Sequence, residues 1–128
     1  MDVATLARGQ AVNRVAIGTG LILLPRLFAR PWVGGGASDE RARVLGRSLG
    51  ARDLALGAAG LLALRDADPG WARRAFAAQA FADAVDAVAI AGAGRVGSPA
   101  QALGVVLAAG SAAVAALYAR ELSAKTAH

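Results

Sequence analysis

The chain contains no cysteine and a single histidine, His128. Without thiols there is no disulfide, no Cys-bound metal and no Cys nucleophile. One histidine supports neither a His-dependent triad nor a multi-histidine metal site, so no cofactor and no metal are expected. Acidic residues are also scarce: nine Asp and Glu stand against 14 Lys and Arg, for a formal charge of +5. Aromatics make up only 5% of the chain, and the arginines sit at the ends of apolar runs instead of forming a stripe interleaved with aromatics. Nucleic acid is therefore not an expected partner, and anionic lipid headgroups fit that charge better.

What the chain has in excess is apolar surface. Hydrophobic residues account for 56%, and the 16 glycines bring the apolar share to about two thirds, against roughly 45 to 50% in soluble domains. Its 128 residues give room for one domain. Four helical segments are legible within it. The first spans Ala4 to Phe28, with Pro25 kinking or closing it before the Gly34-Gly35-Gly36 run. Ser38 reads as an N-cap with Asp39 and Glu40 in the first turn, and the second helix runs from Asp39 to Leu64. After the polar turn at Asp66, Asp68, Pro69 and Gly70, the third spans Trp71 to Ala93. Beyond the break at Gly92, Gly94, Gly97 and Pro99, the fourth spans Pro99 to Ala119.

Only the fourth segment, within Val96 to Ala119, exceeds the uninterrupted uncharged length of about 18 residues that marks a membrane span. The alternative is a soluble Ala-rich bundle, yet such a bundle needs a broad polar face on each helix, and Leu54 to Leu64 and Val105 to Ala119 carry almost none. Trp32 and Trp71 stand at segment ends, where interfacial indoles belong. Arg14 interrupts the first apolar run and no clear small-residue cleavage site follows it, so that segment is expected to stay in the mature protein.

Against this apolar background the internal charges stand out. A charge at the centre of a spanning helix costs about 2.5 to 3.5 kcal/mol, so it persists when paired, hydrated or used. Arg14, Arg52, Asp53, Asp83 and Asp86 lie inside apolar stretches, and Gln79, Asp83 and Asp86 recur on one face of the third segment. With the second and third helices antiparallel and centred near Ala55 and Ala82, Arg52 and Asp86 lie about 5 and about 6 Å to the same side of the midplane. They are expected to pair. Arg14 lies nearer the level of Gln79, within reach of Asp83. Two roles are open for the six residues. A structural network would fix helix register. Alternatively, with three acids against two bases, the surplus carboxylate, assigned to Asp83, would bind a proton, a cation or a headgroup.

Glycine and other small residues give further signals. Gly104, Ala108, Ser111, Ala115 and Tyr118 share a face of the fourth helix, and Gly57 with Gly60 smooths the second. Dimerisation and packing within one chain both remain open for these faces. Gly18 and Gly20 are not read as a phosphate loop, since no strand precedes them and the GxGxxG pattern is incomplete.

The run from Arg43 to Gly57, with its Gly50-Ala51-Arg52-Asp53-Leu54-Ala55-Leu56-Gly57 element, follows Leu24-Pro25-Arg26 and precedes Ala82-Asp83-Ala84-Val85-Asp86-Ala87. In these elements the chain resembles small bacterial four-helix membrane proteins of unknown function. The resemblance implies a fold and a membrane location but no activity. Asp83-Ala84-Val85-Asp86 also resembles the opening of the aspartate motif of CDP-alcohol phosphotransferases. The Gly after the second Asp, the Arg three residues on and the downstream Asp pair are missing, so no enzyme is expected. Small four-helix multidrug transporters match in size and helix number, but they carry an acid in the first helix where this chain has Arg14. Six basic residues on each side of the spans give no positive-inside bias, leaving orientation open.

The resulting expectation is an all-α, four-helix transmembrane bundle spanning residues 1–128 and lying in the bacterial inner (cytoplasmic) membrane as a multi-pass protein. It would act as a non-catalytic accessory or scaffold module, in contact with membrane lipids and compatible with a homodimer or a larger membrane complex. The alternative function is a small proton-coupled transporter, or a lipid-binding or headgroup-binding protein, using the Asp/Arg cluster.

Overall fold

A computed structural model describes residues 2–33, 39–66, 68–92 and 99–126, and these residues are all-helical apart from short turns and caps. Five helices follow in order: α1 Val3–Leu23, α2 Pro25–Val33, α3 Glu40–Ala63, α4 Pro69–Gly92 and α5 Pro99–Thr126. The single first segment expected from Ala4 to Phe28 is thus two helices. Leu24 departs from helical backbone (φ −129°, ψ 55°) because the ring of the following Pro25 disfavours the α region at the residue before it. Pro25 then starts α2, where a missing N–H costs nothing.

The other boundaries have similarly local causes. Asp2 caps α1 by accepting from the Thr5 N–H at 2.6 Å. Asp39, expected in the first turn of α3, is its N-cap and accepts from the Arg41 N–H at 3.3 Å; Ser38 lies outside the described residues. Asp68 accepts from the Gly70 N–H at 2.8 Å, so α4 begins at Pro69, ahead of the expected Trp71. Of the residues expected to break the chain before α5, Gly92 is the last of α4 and Pro99 the first of α5, while Gly94 and Gly97 lie outside the described residues. At its far end α5 continues to Thr126, well past Ala119, because Arg120 and Glu121 end the apolar run without ending the helix.

The helices associate as two close pairs, α1 with α3 and α4 with α5, and α3 and α4 join the pairs more loosely. Glycine sets the closeness of the first. A Cβ added at Gly18 would stand 2.6 Å from the Gly50 carbonyl oxygen, and one at Gly57 would stand 2.7 Å from that of Ala11. The two backbones therefore touch directly, a contact open only to small residues. Gly18, passed over above as a nucleotide residue, belongs to this crossing. On the α4–α5 side, Phe76 meets Tyr118 edge-on with ring centroids 4.8 Å apart, among Ala7, Ala115 and Ala119. Gly104, Ala115 and Tyr118 are buried, so much of the small face of α5 is used within the chain.

Polarity is distributed inside out relative to a water-soluble bundle. Among the described residues, the buried apolar side chains besides Phe76, Tyr118 and Pro25 are alanines, and the buried polar ones are Arg14, Gln79 and Asp83. Many large aliphatic and aromatic side chains point outward, among them Leu23 (68% exposed), Phe81 (72%) and Val88 (73%). Two helical stretches, Pro69–Gly92 and Ala102–Ala124, are long and apolar enough to cross a membrane, with mean hydropathies of 1.3 and 2.0.

Candidate functional site

All five internal charges meet where the helix pairs join. Arg52 on α3 grips Asp86 on α4 with both ends of its guanidinium, Nη1 to Oδ1 at 2.8 Å and Nη2 to Oδ2 at 2.5 Å. This is the expected pair, made possible by equal depth on antiparallel helices. Arg52 Nη2 also lies 3.4 Å from Asp53 Oδ1 on its own helix. Asp53 Oδ1 accepts from Arg14 Nη1 on α1 at 2.7 Å, and Arg14 Nη2 donates to Asp83 Oδ1 on α4. The charges thus alternate along one continuous chain, Asp86, Arg52, Asp53, Arg14, Asp83. Such alternation lets each buried charge face an opposite one, which is what makes burial tolerable.

Two residues that sequence reasoning did not assign extend the chain. The Ser111 hydroxyl on α5 donates to Asp83 Oδ2 at 2.6 Å, and Gln10 Nε2 on α1 donates to Ser111 Oγ at 2.6 Å and to the Ser111 carbonyl at 3.1 Å. The network therefore ties together α1, α3, α4 and α5. Gln10 lies one helical turn before Arg14, a spacing that could have flagged it. Ser111 carried no separate signal, because it occupies a small-residue face alongside alanines and glycine.

The structure changes the roles assigned to Asp83 and Gln79. Asp83 is not a carboxylate left over: both of its oxygens have donors, Arg14 on one and Ser111 on the other. The more accessible acids are Asp53 and Asp86, with side chains 19% and 30% exposed against 6% for Asp83. Gln79 does not join the ionic chain although it lies on the same helix face. Its Nε2 donates to the Leu56 carbonyl at 3.1 Å in space left by the missing side chain of Gly60, and its Oε1 is buried without a partner.

Chemically the cluster is enclosed at Arg14 and Asp83 and partly open at Arg52, Asp53 and Asp86. Among the described residues no three of His, Cys, Asp and Glu converge on a point that would hold a metal ion. Asp83 and Asp86 turn to guanidiniums on different helices, Arg14 and Arg52. Two open hollows lie elsewhere, one beside Asp39 to Leu45 at the start of α3 and one on the outer face of α4 at Phe81, Val85 and Val88. No protein-family model, curated protein or solved structure matches the chain.

Proposed function

We propose that the chain is a small integral membrane protein of the bacterial inner membrane, in which α1, α3, α4 and α5 span the bilayer as a four-helix bundle and α2 lies at its edge. It acts as a non-catalytic accessory or scaffold module, as a homodimer or within a larger membrane complex. The likeness to small bacterial four-helix membrane proteins belongs to the same proposal. The observation that carries it is the inverted polarity: Leu23, Phe81 and Val88 face outward while Arg14, Gln79 and Asp83 are enclosed. In water that arrangement leaves apolar surface exposed and adds the cost of burying charge. In hydrocarbon the outer face is solvated, and the alternating ion pairs fix helix register.

The pairing favours scaffold over transporter, since Asp83 Oδ1 and Oδ2 both have donors and the Asp83 side chain is only 6% exposed. Purification of the full chain in mild detergent after an alkaline wash of membranes tests the proposal. The chain is expected in the washed membrane with a stoichiometric protein partner. A specific small molecule carried in place of a protein would favour transport or headgroup binding, and recovery from the soluble fraction would defeat the membrane assignment.

A further inference from the structure

The two ends of the bundle differ in charge and in how that charge is set. At the α2 end, counting side chains the structure describes, Arg26, Arg30, Arg41, Arg43 and Arg47 face only Asp39 and Glu40. At the opposite end Arg8, Arg65, Arg73, Arg74 and Arg120, with Lys125 of α5 after them in sequence, are set against twice as many acids as at the α2 end, Asp2, Asp66, Asp68 and Glu121, and Arg74 lies 3.6 Å from Asp68. The excess at the first end is carried partly by a helix of distinct character. Helix α2 is anchored on one side, with the Phe28 ring against Gly20 and Pro25 beside Gly46. Its other side presents Arg26 and Arg30 one turn apart, both exposed, with Leu27 63% exposed between them. Leu23 and Leu24 before it, and Val44 and Leu45 between Arg41 and Arg47 on α3, are likewise more than half exposed.

Guanidiniums alternating with bare leucines suit one environment better than any aqueous partner. Acyl chains take the leucines while phosphates a few ångströms higher take the guanidiniums. Resting on the membrane proposal above, we infer that the α2 end, through Arg26 and Arg30 with Arg41 and Arg47, is a binding surface for anionic phospholipid headgroups, whereas the opposite end has no such preference. The protein would then gather anionic lipid around one end and lie with α2 in the more anionic leaflet.

The two tryptophans provide a reporter at each end. Trp71→Phe leaves only Trp32, in α2, and Trp32→Phe leaves only Trp71, at the start of α4. Each variant is reconstituted in vesicles of phosphatidylcholine with a minority of phosphatidylglycerol, with brominated chains on one lipid or the other, and quenching of the remaining indole gives the local lipid composition. Trp32 is expected to report enrichment of phosphatidylglycerol on the order of tenfold at low salt, falling as salt is raised, and Trp71 little or none. Arg26→Gln with Arg30→Gln should remove most of the enrichment. Arg41→Gln with Arg47→Gln should reduce it, and Arg73→Gln with Arg74→Gln should leave it unchanged. Equal enrichment at both ends, or enrichment that survives loss of Arg26, Arg30, Arg41 and Arg47 together in a chain of unchanged helicity, overturns the inference while leaving the membrane proposal standing. Absence of quenching at both indoles by either brominated lipid means that the chain is not in the bilayer, and the membrane proposal falls with it.

Discussion

Arg14 holds Asp53 and Asp83 at once and its side chain is only 7% exposed, so its loss leaves buried Asp83 with only the Ser111 hydroxyl and Asp53 with only the longer contact to Arg52. Arg14→Leu is expected to destabilise the folded chain by about 3 to 5 kcal/mol, the range for breaking a buried pair by removing one partner. Arg52→Leu should cost less, because Arg52 is 34% exposed. Arg73→Leu, in an exposed position, should cost little. Melting in detergent ranks the three, and a cost for Arg14→Leu no greater than for Arg73→Leu would remove the network from the list of stabilising features. Asp83→Asn keeps the shape of the side chain and an oxygen for the Ser111 hydroxyl. It should be milder than Arg14→Leu and leave any partner captured by the wild type still bound. Loss of partner or phenotype in a folded Asp83→Asn protein would move the balance to the transporter. At this scale the sequence was readable where geometry follows from depth, as in Arg52 with Asp86 and Arg14 with Asp83. It was silent on Ser111, since a serine among alanines carries the same signal whether it packs or donates. It misled on Gln79, since a shared helix face does not specify which neighbour stands opposite.

Helices were legible as apolar runs, but their ends were set by single residues whose effect is local. Pro25 divides one run into two helices, and the polar pair Arg120 and Glu121 leaves the last helix intact. A nine-residue helix such as α2 is hard to detect by periodicity because it completes few turns. Its partners were equally hidden, since a glycine in a helix reads as a cost until the neighbouring backbone is known. That cost, about 1 kcal/mol relative to alanine, is accepted at Gly50, where an added Cβ would stand 2.8 Å from the Gly18 carbonyl oxygen. Gly110 has nothing within 4 Å of such an atom. The two therefore predict opposite outcomes. Gly50→Leu should separate α1 from α3 and lower stability by about 1 to 3 kcal/mol or more, as overpacking does. Gly110→Ala should be neutral or raise stability by up to about 1 kcal/mol. Similar melting temperatures for the two variants would mean that the α1–α3 crossing is not as close as the backbone contact implies.

Across the whole molecule, charge is divided unevenly between the two ends of the sequence, and that division makes the bundle interdependent. Residues before the turn at 64–66 contribute Arg14, Arg52 and Asp53 to the network, whereas those after it contribute Asp83 and Asp86 with no cation between Ala75 and Gly92 of α4 or in the described apolar part of α5. A fragment of residues 68–128 therefore carries two uncompensated aspartates, a cost of about 5 to 7 kcal/mol on the insertion scale, and the many alanines of α4 do little to offset it. It should insert poorly by itself. Co-expressed with residues 1–67 it gains Arg14 and Arg52 as partners, and its recovery in the membrane fraction is expected to rise several-fold. Arg14→Leu with Arg52→Leu in the first fragment should abolish that gain even though each change makes the first fragment more apolar. An ordinary hydrophobic association would respond in the opposite sense. Efficient insertion of residues 68–128 alone would show that the charges do not depend on one another. If instead both fragments and the full chain remain soluble without detergent, the outward-facing leucines and phenylalanines must be covered by protein, and a soluble Ala-rich assembly replaces the membrane bundle.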